Sequence, residues 1–130
     1  MATLTPTLTL TSSDVSSDTL SLSVTDSLTV EAPIINVSTI TATTTGGASI
    51  ILPSVNAARY VYLKHTGLNS AGSSSGTDKV EVETGDGTAI MELKSGEFAF
   101  FPYFAQGAGL LQLEASANTV QVEYAYFTRS

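Results

Sequence analysis

Apolar and polar positions alternate with a period of two along most of the chain. Near the N-terminus the alternation is strict in "TLTPTLTLT" (residues 3–11), "TLSLSV" (19–24) and "SLTV" (27–30). Because successive side chains of a strand point to opposite faces, each segment predicts an extended strand with one apolar face. Thr and Val favour strands, and no apolar residues recur at helical spacing. The intervening "SSDVSSD" and "TDS" are typical of turns.

The same pattern continues further along the chain as short segments separated by turn signals. These predicted strands cover residues 33–43, 49–53, 58–66, 79–84, 89–93, 98–101, 109–115 and 119–128. Between them, residues 67–78 are rich in Gly and Ser and predict a flexible loop, while "GDGT" and "KSGE" predict tight turns. About eight short strands with a turn every 8–12 residues indicate an antiparallel β-sandwich or jelly roll. The predicted fold class is therefore all-β.

The chain divides into two parts of different composition. All aromatic and all basic residues lie at or after Arg59, and the preceding part is dominated by Thr and Ser with interspersed Leu, Val and Ile. Such a segment has little volume for a core of its own, so its apolar face needs a partner surface, either its own C-terminal part or a neighbouring subunit. We predict an extended arm over residues 1–33 and a β-sandwich domain over residues 34–130. A disordered Ser/Thr-rich tail is the alternative that the strict alternation disfavours.

Half of the aromatic residues are concentrated in "EFAFFPYF" (residues 97–104). Alternation places Phe98 and Phe100 on one face of a strand and Phe101 on the other. We expect Pro102, which has no N–H group, to end the strand pairing, so that Tyr103 and Phe104 lie beyond it. The aromatic residues predicted to supply the bulk of the core are Tyr60, Tyr62, Phe98, Phe100, Phe101, Tyr124 and Phe127. The residues predicted to contact a partner are Leu4, Leu8, Leu10, Leu20, Leu22, Val24, Leu28, Val30, Tyr103 and Phe104.

Composition narrows the classes of function. The net charge of −7 opposes binding to a nucleic-acid backbone and to an anionic membrane surface. The absence of Cys excludes disulfides and zinc–thiolate sites. No segment approaches the ~18 apolar residues of a membrane span. "MATLTPTLTL" also lacks the basic region and the continuous apolar run of a signal peptide. We therefore predict neither a nucleic-acid nor a membrane partner.

The residues that carry chemistry form no recognisable site. A catalytic His needs a nucleophile or a carboxylate held in geometry, and Ser is so abundant here that no pairing with His65 is singled out. We expect His65 to be a surface or rim residue. The turn aspartates lack the ligand density of a calcium loop, and no pair of Glu residues is singled out for glycoside hydrolysis. The sequence predicts a protein that is not an enzyme, with no catalytic residue, no metal site and no cofactor.

Several phrases together resemble small structural proteins of tailed bacteriophages, especially phages of marine bacteria and cyanobacteria. These phrases are "ARYVYLKHTG", "KVEVETGDGTAIMELKSGEFAFFP" and the closing "VQVEYAYFTRS". The resemblance covers about residues 58–130, and the leader "MATLTPTLTLTSSD" is also similar to phage virion proteins. In such modules a "YVYLKN"-like strand, a turn of the form L-x-P-G-E and a terminal "EY" strand recur. Ser95 stands here where such modules often have Pro.

The resemblance implies a virion building block, with capsid decoration or cement proteins as the favoured class. Such a protein assembles in the host cytoplasm, binds the outer capsid surface and bridges capsomers through an arm. The implied partners are the major capsid protein or other virion proteins and sister subunits, with a trimer favoured. The alternative is a tail, neck or fibre-associated β module, for which a glycan is a candidate ligand.

Overall fold

The computed structural model describes residues 1–31, 37–45, 49–52, 57–105 and 110–130. These residues form strands and turns and contain no helix that could cross a membrane. The strands are β1 (Ala2–Leu4), β2 (Thr7–Ser12), β3 (Leu20–Thr25), β4 (Leu28–Val30), β5 (Ser38–Ala42), β6 (Ser49–Leu52), β7 (Ala57–His65), β8 (Val80–Thr84), β9 (Ala89–Leu93), β10 (Phe98–Ala105), β11 (Leu111–Ala115) and β12 (Val120–Thr128). The predicted boundary between residues 33 and 34 lies outside the described residues, as do Pro53 and the beginnings of the strands predicted over 33–43 and 109–115.

Strands β5 to β12 form two four-stranded antiparallel sheets. The first sheet has the order β10-β7-β12-β5, and the second has the order β6-β11-β8-β9. The pairing is nested, because β5 pairs with β12, β6 with β11, β7 with β10 and β8 with β9. The predicted all-β antiparallel sandwich is confirmed.

The core between the two sheets is built from aliphatic side chains. Its fully enclosed members are Ala42, Ile51, Leu52, Val61, Leu63, Val80, Val82, Leu93, Leu111, Leu113, Ala115, Val120 and Val122. Four aromatic residues, Phe101, Tyr103, Tyr124 and Tyr126, pack at its margin and are only partly buried. Since apolar burial is the main favourable term in folding, these small aliphatic side chains account for most of the stability of the sandwich.

The prediction that aromatic residues supply the bulk of the core is wrong for most of them. Phe101 and Tyr124 do pack against the core. The strands place Tyr60, Tyr62, Phe98, Phe100 and Phe127 on the opposite, outer face of the first sheet. Alternation indicates which residues share a face, but it does not say which of the two faces meets the second sheet.

The prediction that Pro102 ends its strand is also wrong. Strand β10 continues to Ala105, with Pro102 opposite Tyr60. The N–H of His65 donates to the carbonyl of Glu97 across 2.9 Å. In an antiparallel pair the hydrogen-bonded positions alternate, so the nitrogen of Pro102 faces away from β7. Because β10 is an edge strand, Pro102 costs no bond of the ladder.

Strands β1 to β4 form one long two-stranded ribbon. The β1–β4 and β2–β3 pairs share a single register, and the N–H of Asp26 donates to the carbonyl of Pro6 across 3.2 Å where they meet. We call β1 and β4 the ribbon root and β2 and β3 the outer ribbon. At ~3.3 Å per residue the ribbon is about 35 Å long.

The ribbon root is joined to the end of β12. Val30 forms a bridge with Arg129, and the N–H of Glu31 donates to the carbonyl of Thr128 across 3.0 Å. The hydroxyl of Ser130 donates to the carbonyl of Thr29, also across 3.0 Å. Val30 is almost completely buried. The root is therefore an integral part of the folded body.

Replacing Leu63 by Ala should lower the free energy of unfolding by about 2–5 kcal/mol, because Leu63 is fully buried in a central strand. Ile90→Ala is the matched control, since Ile90 is 45% exposed and its loss should cost less than about 1 kcal/mol. Urea denaturation of both variants gives the comparison. A loss at Leu63 no larger than that at Ile90 would contradict the assigned core.

Candidate functional site

The outer ribbon has one face made of large apolar side chains. Leu8 lies opposite Val24, and Leu10 lies opposite Leu22. With Leu20, these residues form what we call the apolar face of the ribbon, and each is between 39% and 54% exposed. The alternation predicted from the sequence is confirmed.

The other face of the outer ribbon consists of hydroxyl side chains. The hydroxyls of Thr7 and Thr25 are 3.0 Å apart across the strands, and those of Thr9 and Ser23 are 3.5 Å apart. The close backbone contacts of β2 and β3 are chiefly with each other. Since an isolated two-stranded ribbon is only marginally stable in water, an exposed apolar face on such a ribbon indicates an interaction element.

A second apolar surface lies on the outer side of the first sheet, which we call the aromatic face. Three phenylalanines of β10 are its most exposed members, with Phe98 at 62%, Phe104 at 58% and Phe100 at 38%. The ring of Tyr60 stacks on Phe100 with centroids 6.0 Å apart. The Arg129 guanidinium lies 5.1 Å above the Tyr60 ring. The remaining outward aromatic residues of this face are Tyr62 and Phe127.

An apolar cleft separates the outer ribbon from the aromatic face. Its volume is about 560 Å³, and it is bordered by Leu8 and Val24 of the ribbon and by Phe98 and Phe100 of the sheet. A smaller cavity of about 230 Å³ continues under the ribbon root and is lined by apolar parts of Leu4, Tyr62, Ala125 and Phe127, among others. Both cavities touch Pro6 and Phe100. The two apolar surfaces therefore lie side by side around two adjoining cavities.

The predicted contact residues divide into exposed and covered groups. Leu8, Leu10, Leu20, Leu22, Val24 and Phe104 are exposed, whereas Leu4 and Leu28 are half-buried in the ribbon root. Two expectations are corrected. Val30 is 2% exposed and anchors the root, and Tyr103 lies within β10 and packs against the core. Val30 is covered by its own chain because it bridges to Arg129 just beyond β12, whereas Tyr103 is only partly buried because the continuation of β10 places it on the inner face of the first sheet.

Sequence reasoning assigned Phe98 and Phe100 to the core and so missed their exposure. A signal for the correct assignment was present in β7. Lys64 alternates with Tyr60 and Tyr62 and therefore shares their face, and lysine is almost never fully buried without a partner. Strand β10 pairs with β7 so that Phe98 lies opposite Lys64. The face that carries the lysine is the outer one.

His65 is completely buried, which corrects the expectation of a surface residue. The N–H of Gly67 donates to Nδ1 across 3.0 Å, and Nε2 lies 3.0 Å from the carbonyl of Asp78. Since an amide can only donate, Nδ1 accepts, and Nε2 must carry the proton that is donated to Asp78. The two ring nitrogens hold the first and the last residue of the 67–78 loop, so His65 has a structural role.

The buried Arg59 guanidinium does not form an open anion site. Within the described part of the chain, its Nε and Nη1 atoms and the hydroxyl of the neighbouring Thr128 have no hydrogen-bond partner, and they are closed to water. The guanidinium carbon lies 5.1 Å from the centre of the Tyr126 ring, so a cation–π contact stabilises the charge in place of an anion. Among the described residues, no group of His, Asp and Glu side chains could hold a metal ion.

The outer face of the second sheet carries a row of carboxylates. Glu81 lies directly opposite Glu114 on one side and opposite Glu92 on the other. Lys79 forms an ion pair with Glu92 at 3.1 Å. This face is acidic, whereas the outer face of the first sheet is aromatic.

Comparisons of the chain with protein-family models, with curated proteins and with solved structures found no match. The inference of function therefore depends on the two apolar surfaces and on the sequence resemblance.

Tyr62 provides a spectroscopic test of the aromatic face. Burial, together with the 2.7 Å hydrogen bond to Glu123 and the charge of Glu123, raises the pKa of Tyr62 from 10.0 to about 12. The neutral phenol is therefore favoured in the folded state, and its contribution to stability is present below pH 10 and lost as the pH rises towards 12.

In Glu123→Gln the pKa of Tyr62 should fall but stay above 10, because burial, the larger cause, remains. Titration of tyrosinate absorbance measures it, with Tyr62→Phe as the reference that subtracts the other tyrosines. An unchanged titration curve in Glu123→Gln would show that the carboxylate has no influence on the phenol.

His65→Phe should lower the free energy of unfolding, because the Asp78 carbonyl and the Gly67 N–H lose their partner. Each unpaired backbone group should cost about 1–3 kcal/mol. Urea denaturation measures the loss, and Lys64→Met is the control at an adjacent but exposed position. Unchanged stability of His65→Phe would contradict the structural role.

Proposed function

We propose that the chain is a non-enzymatic structural protein of a virion, acting as a capsid decoration or cement protein. In this role it binds the outer surface of the shell, with the major capsid protein or other virion proteins as partners. The outer ribbon bridges neighbouring capsomers, and the protein assembles in the host cytoplasm.

The apolar face of the outer ribbon is the observation that carries the proposal. The six residues of β2 make the outer ribbon about 20 Å long, and a strip that presents leucines on one side and hydroxyls on the other is suited to lie along another surface. The root fixes its direction, because β4 is hydrogen-bonded to the end of β12. The predicted extended arm is accordingly interpreted as this two-stranded ribbon rather than a single extended segment.

The nested strand pairing supports a jelly-roll interpretation of the body. In that interpretation one long hairpin, whose ends are β5 and β12, is folded over so that its four strand pairs are divided between two sheets. Jelly rolls are common in viral capsid proteins, which agrees with the resemblance of residues 58–130 to phage structural proteins. A shared fold alone carries no function, so this support is secondary to the ribbon.

The exposed phenylalanines favour a second candidate function. Phe98 and Phe104 could stack on a sugar ring if the protein were a tail, neck or fibre-associated module. Binding to a glycan array, together with density on the tail instead of the head in electron cryo-microscopy, would favour this alternative.

The Leu10→Ser/Leu22→Ser double variant should lose shell binding. Each leucine is slightly more than half covered by the chain already, and covering the rest should contribute about 1 kcal/mol per residue. The two leucines together therefore contribute about 2 kcal/mol to the free energy of binding, so the double variant should bind shells with roughly thirtyfold lower affinity. Co-sedimentation with shells that lack the protein measures the binding.

The matched control is Thr9→Ala/Ser23→Ala, the cross-strand pair on the opposite face of the same ribbon. It should bind as the unmodified chain does. Equal binding by the leucine variant and the unmodified chain would exclude the apolar face from shell attachment. Density for the protein away from the head of the particle would exclude the decoration role itself.

A further inference from the structure

We propose that the apolar face of the outer ribbon is covered by the aromatic face of a second copy of this chain. The proposal rests on the proposed function and deepens it: the surface that covers the ribbon on the assembled shell is a sister copy, so the ribbon bridges capsomers by joining copies that are seated on them. The contact itself does not require a capsid, because it forms between isolated chains.

The two surfaces match in chemistry and in form. The ribbon presents a narrow strip of aliphatic side chains, and β10 presents Phe98, Phe100 and Phe104 along one edge of a sheet. Both are faces of β structure, so they can pack as two layers about 10 Å apart with interdigitating side chains. Packing them against each other buries most of the largest exposed apolar side chains of the described residues in one contact.

The ribbon does not cover this surface within its own chain. The root already covers the β12 side of the aromatic face, where Ala125 is 1% exposed. Leu8 and Val24 border the cleft and are still 45% and 54% exposed, while Leu10, Leu20 and Leu22 lie outside its lining. The part of the ribbon furthest from the root therefore needs a surface that its own body does not supply.

The distribution of charge selects the first sheet as that surface. Residues 1–31 contain Asp14, Asp18, Asp26 and Glu31 and no basic residue. The outer face of the second sheet would repel the ribbon, since its glutamates form a row there. The aromatic face instead carries Lys64 and Arg129 beside the phenylalanines.

The aromatic face also has carboxylates nearby, and Asp26 of the chain's own ribbon lines the cleft beside Phe98 and Phe100. Glu123 shares the face with Lys64 and accepts a hydrogen bond from the Tyr62 hydroxyl across 2.7 Å. Glu97, at the start of β10, accepts a hydrogen bond from the N–H of Lys94 across 2.8 Å. Of the two outer faces, the first therefore combines exposed aromatic surface with basic side chains, which suits an apolar and acidic ribbon.

The contact joins two different surfaces, so it is heterologous. One copy donates its ribbon, and the next donates its aromatic face. Every ribbon is covered only when the copies form a closed assembly, because an open chain of copies leaves one ribbon and one face unpaired at its ends. The isolated chain should therefore form a closed oligomer of defined mass.

Sedimentation velocity of the full chain at micromolar concentration tests this directly. The unmodified chain should be oligomeric, while Leu10→Ser/Leu22→Ser and Phe98→Ser/Phe104→Ser should each be monomeric. An equimolar mixture of the two variants should form dimers, since one supplies an intact face and the other an intact ribbon. A monomeric unmodified chain, an oligomer that either variant leaves unchanged, or a mixture without dimers would overturn the proposal.

Disulfide trapping provides a second measurement that does not depend on the serine variants folding. The chain has no Cys, so a Leu10→Cys chain mixed with a Phe98→Cys chain should give a mixed disulfide dimer on mild oxidation. Thr9→Cys with Phe98→Cys is the control on the opposite face of the ribbon and should give none. Disulfides between two Leu10→Cys chains alone would overturn the proposal, because they would place ribbon against ribbon.

The outcomes also separate this proposal from the proposed function. A chain that is monomeric in solution and decorates shells would refute the ribbon-to-face contact and leave the decoration role standing. A closed oligomer that is trapped as expected but binds no shell would support the contact and refute the decoration role.

Discussion

The fold depends on covering both faces of the first sheet. Strands β7 and β12 carry apolar side chains on each side, so a single partner layer would leave half of them in water. The second sheet covers the inner face, and the ribbon root covers the β12 side of the outer face, where Val30 and Ala125 are buried. Because the root is packed on the sheet in this way, the outer ribbon extends from a fixed base. Its direction is therefore set by the fold of its own chain and does not depend on binding to a partner.

Much of the fold could be predicted from the sequence, since period-two alternation marks strands directly. The described parts of the predicted strands correspond closely to β1 to β12, and the "GDGT" and "KSGE" turns separate β8, β9 and β10 as expected. Which face of β7 meets the second sheet could not be predicted in the same way. Val61 and Leu63 alternate with Tyr60 and Tyr62 and both sets are apolar, so alternation alone does not decide between the two faces, and only Lys64 marks the outer one.

Of the two apolar surfaces of the candidate site, the sequence predicts the exposure of the apolar face of the ribbon but not that of the aromatic face. The apolar face of the ribbon follows from the alternation of Leu and Thr, whereas the anchoring of Val30 depends on pairing with Arg129, far away along the chain. The exposure of Phe98 depends on β10 lying at the edge of its sheet, which is a property of the nested order of strands. His65 was predicted to lie at the surface because its partners are backbone groups of a loop. Every residue has such groups, so the sequence does not show which of them a buried histidine will bind.

The position of Pro102 has a consequence for how such a protein can associate. An edge strand normally offers a row of free N–H groups to which another strand can add, and such additions can continue without limit. Pro102 removes a donor from the middle of that row on β10, which disfavours the addition of a strand there and favours contacts made through side chains. Side-chain contacts depend on the shape of both surfaces and saturate, which favours an assembly of finite size over an endless sheet.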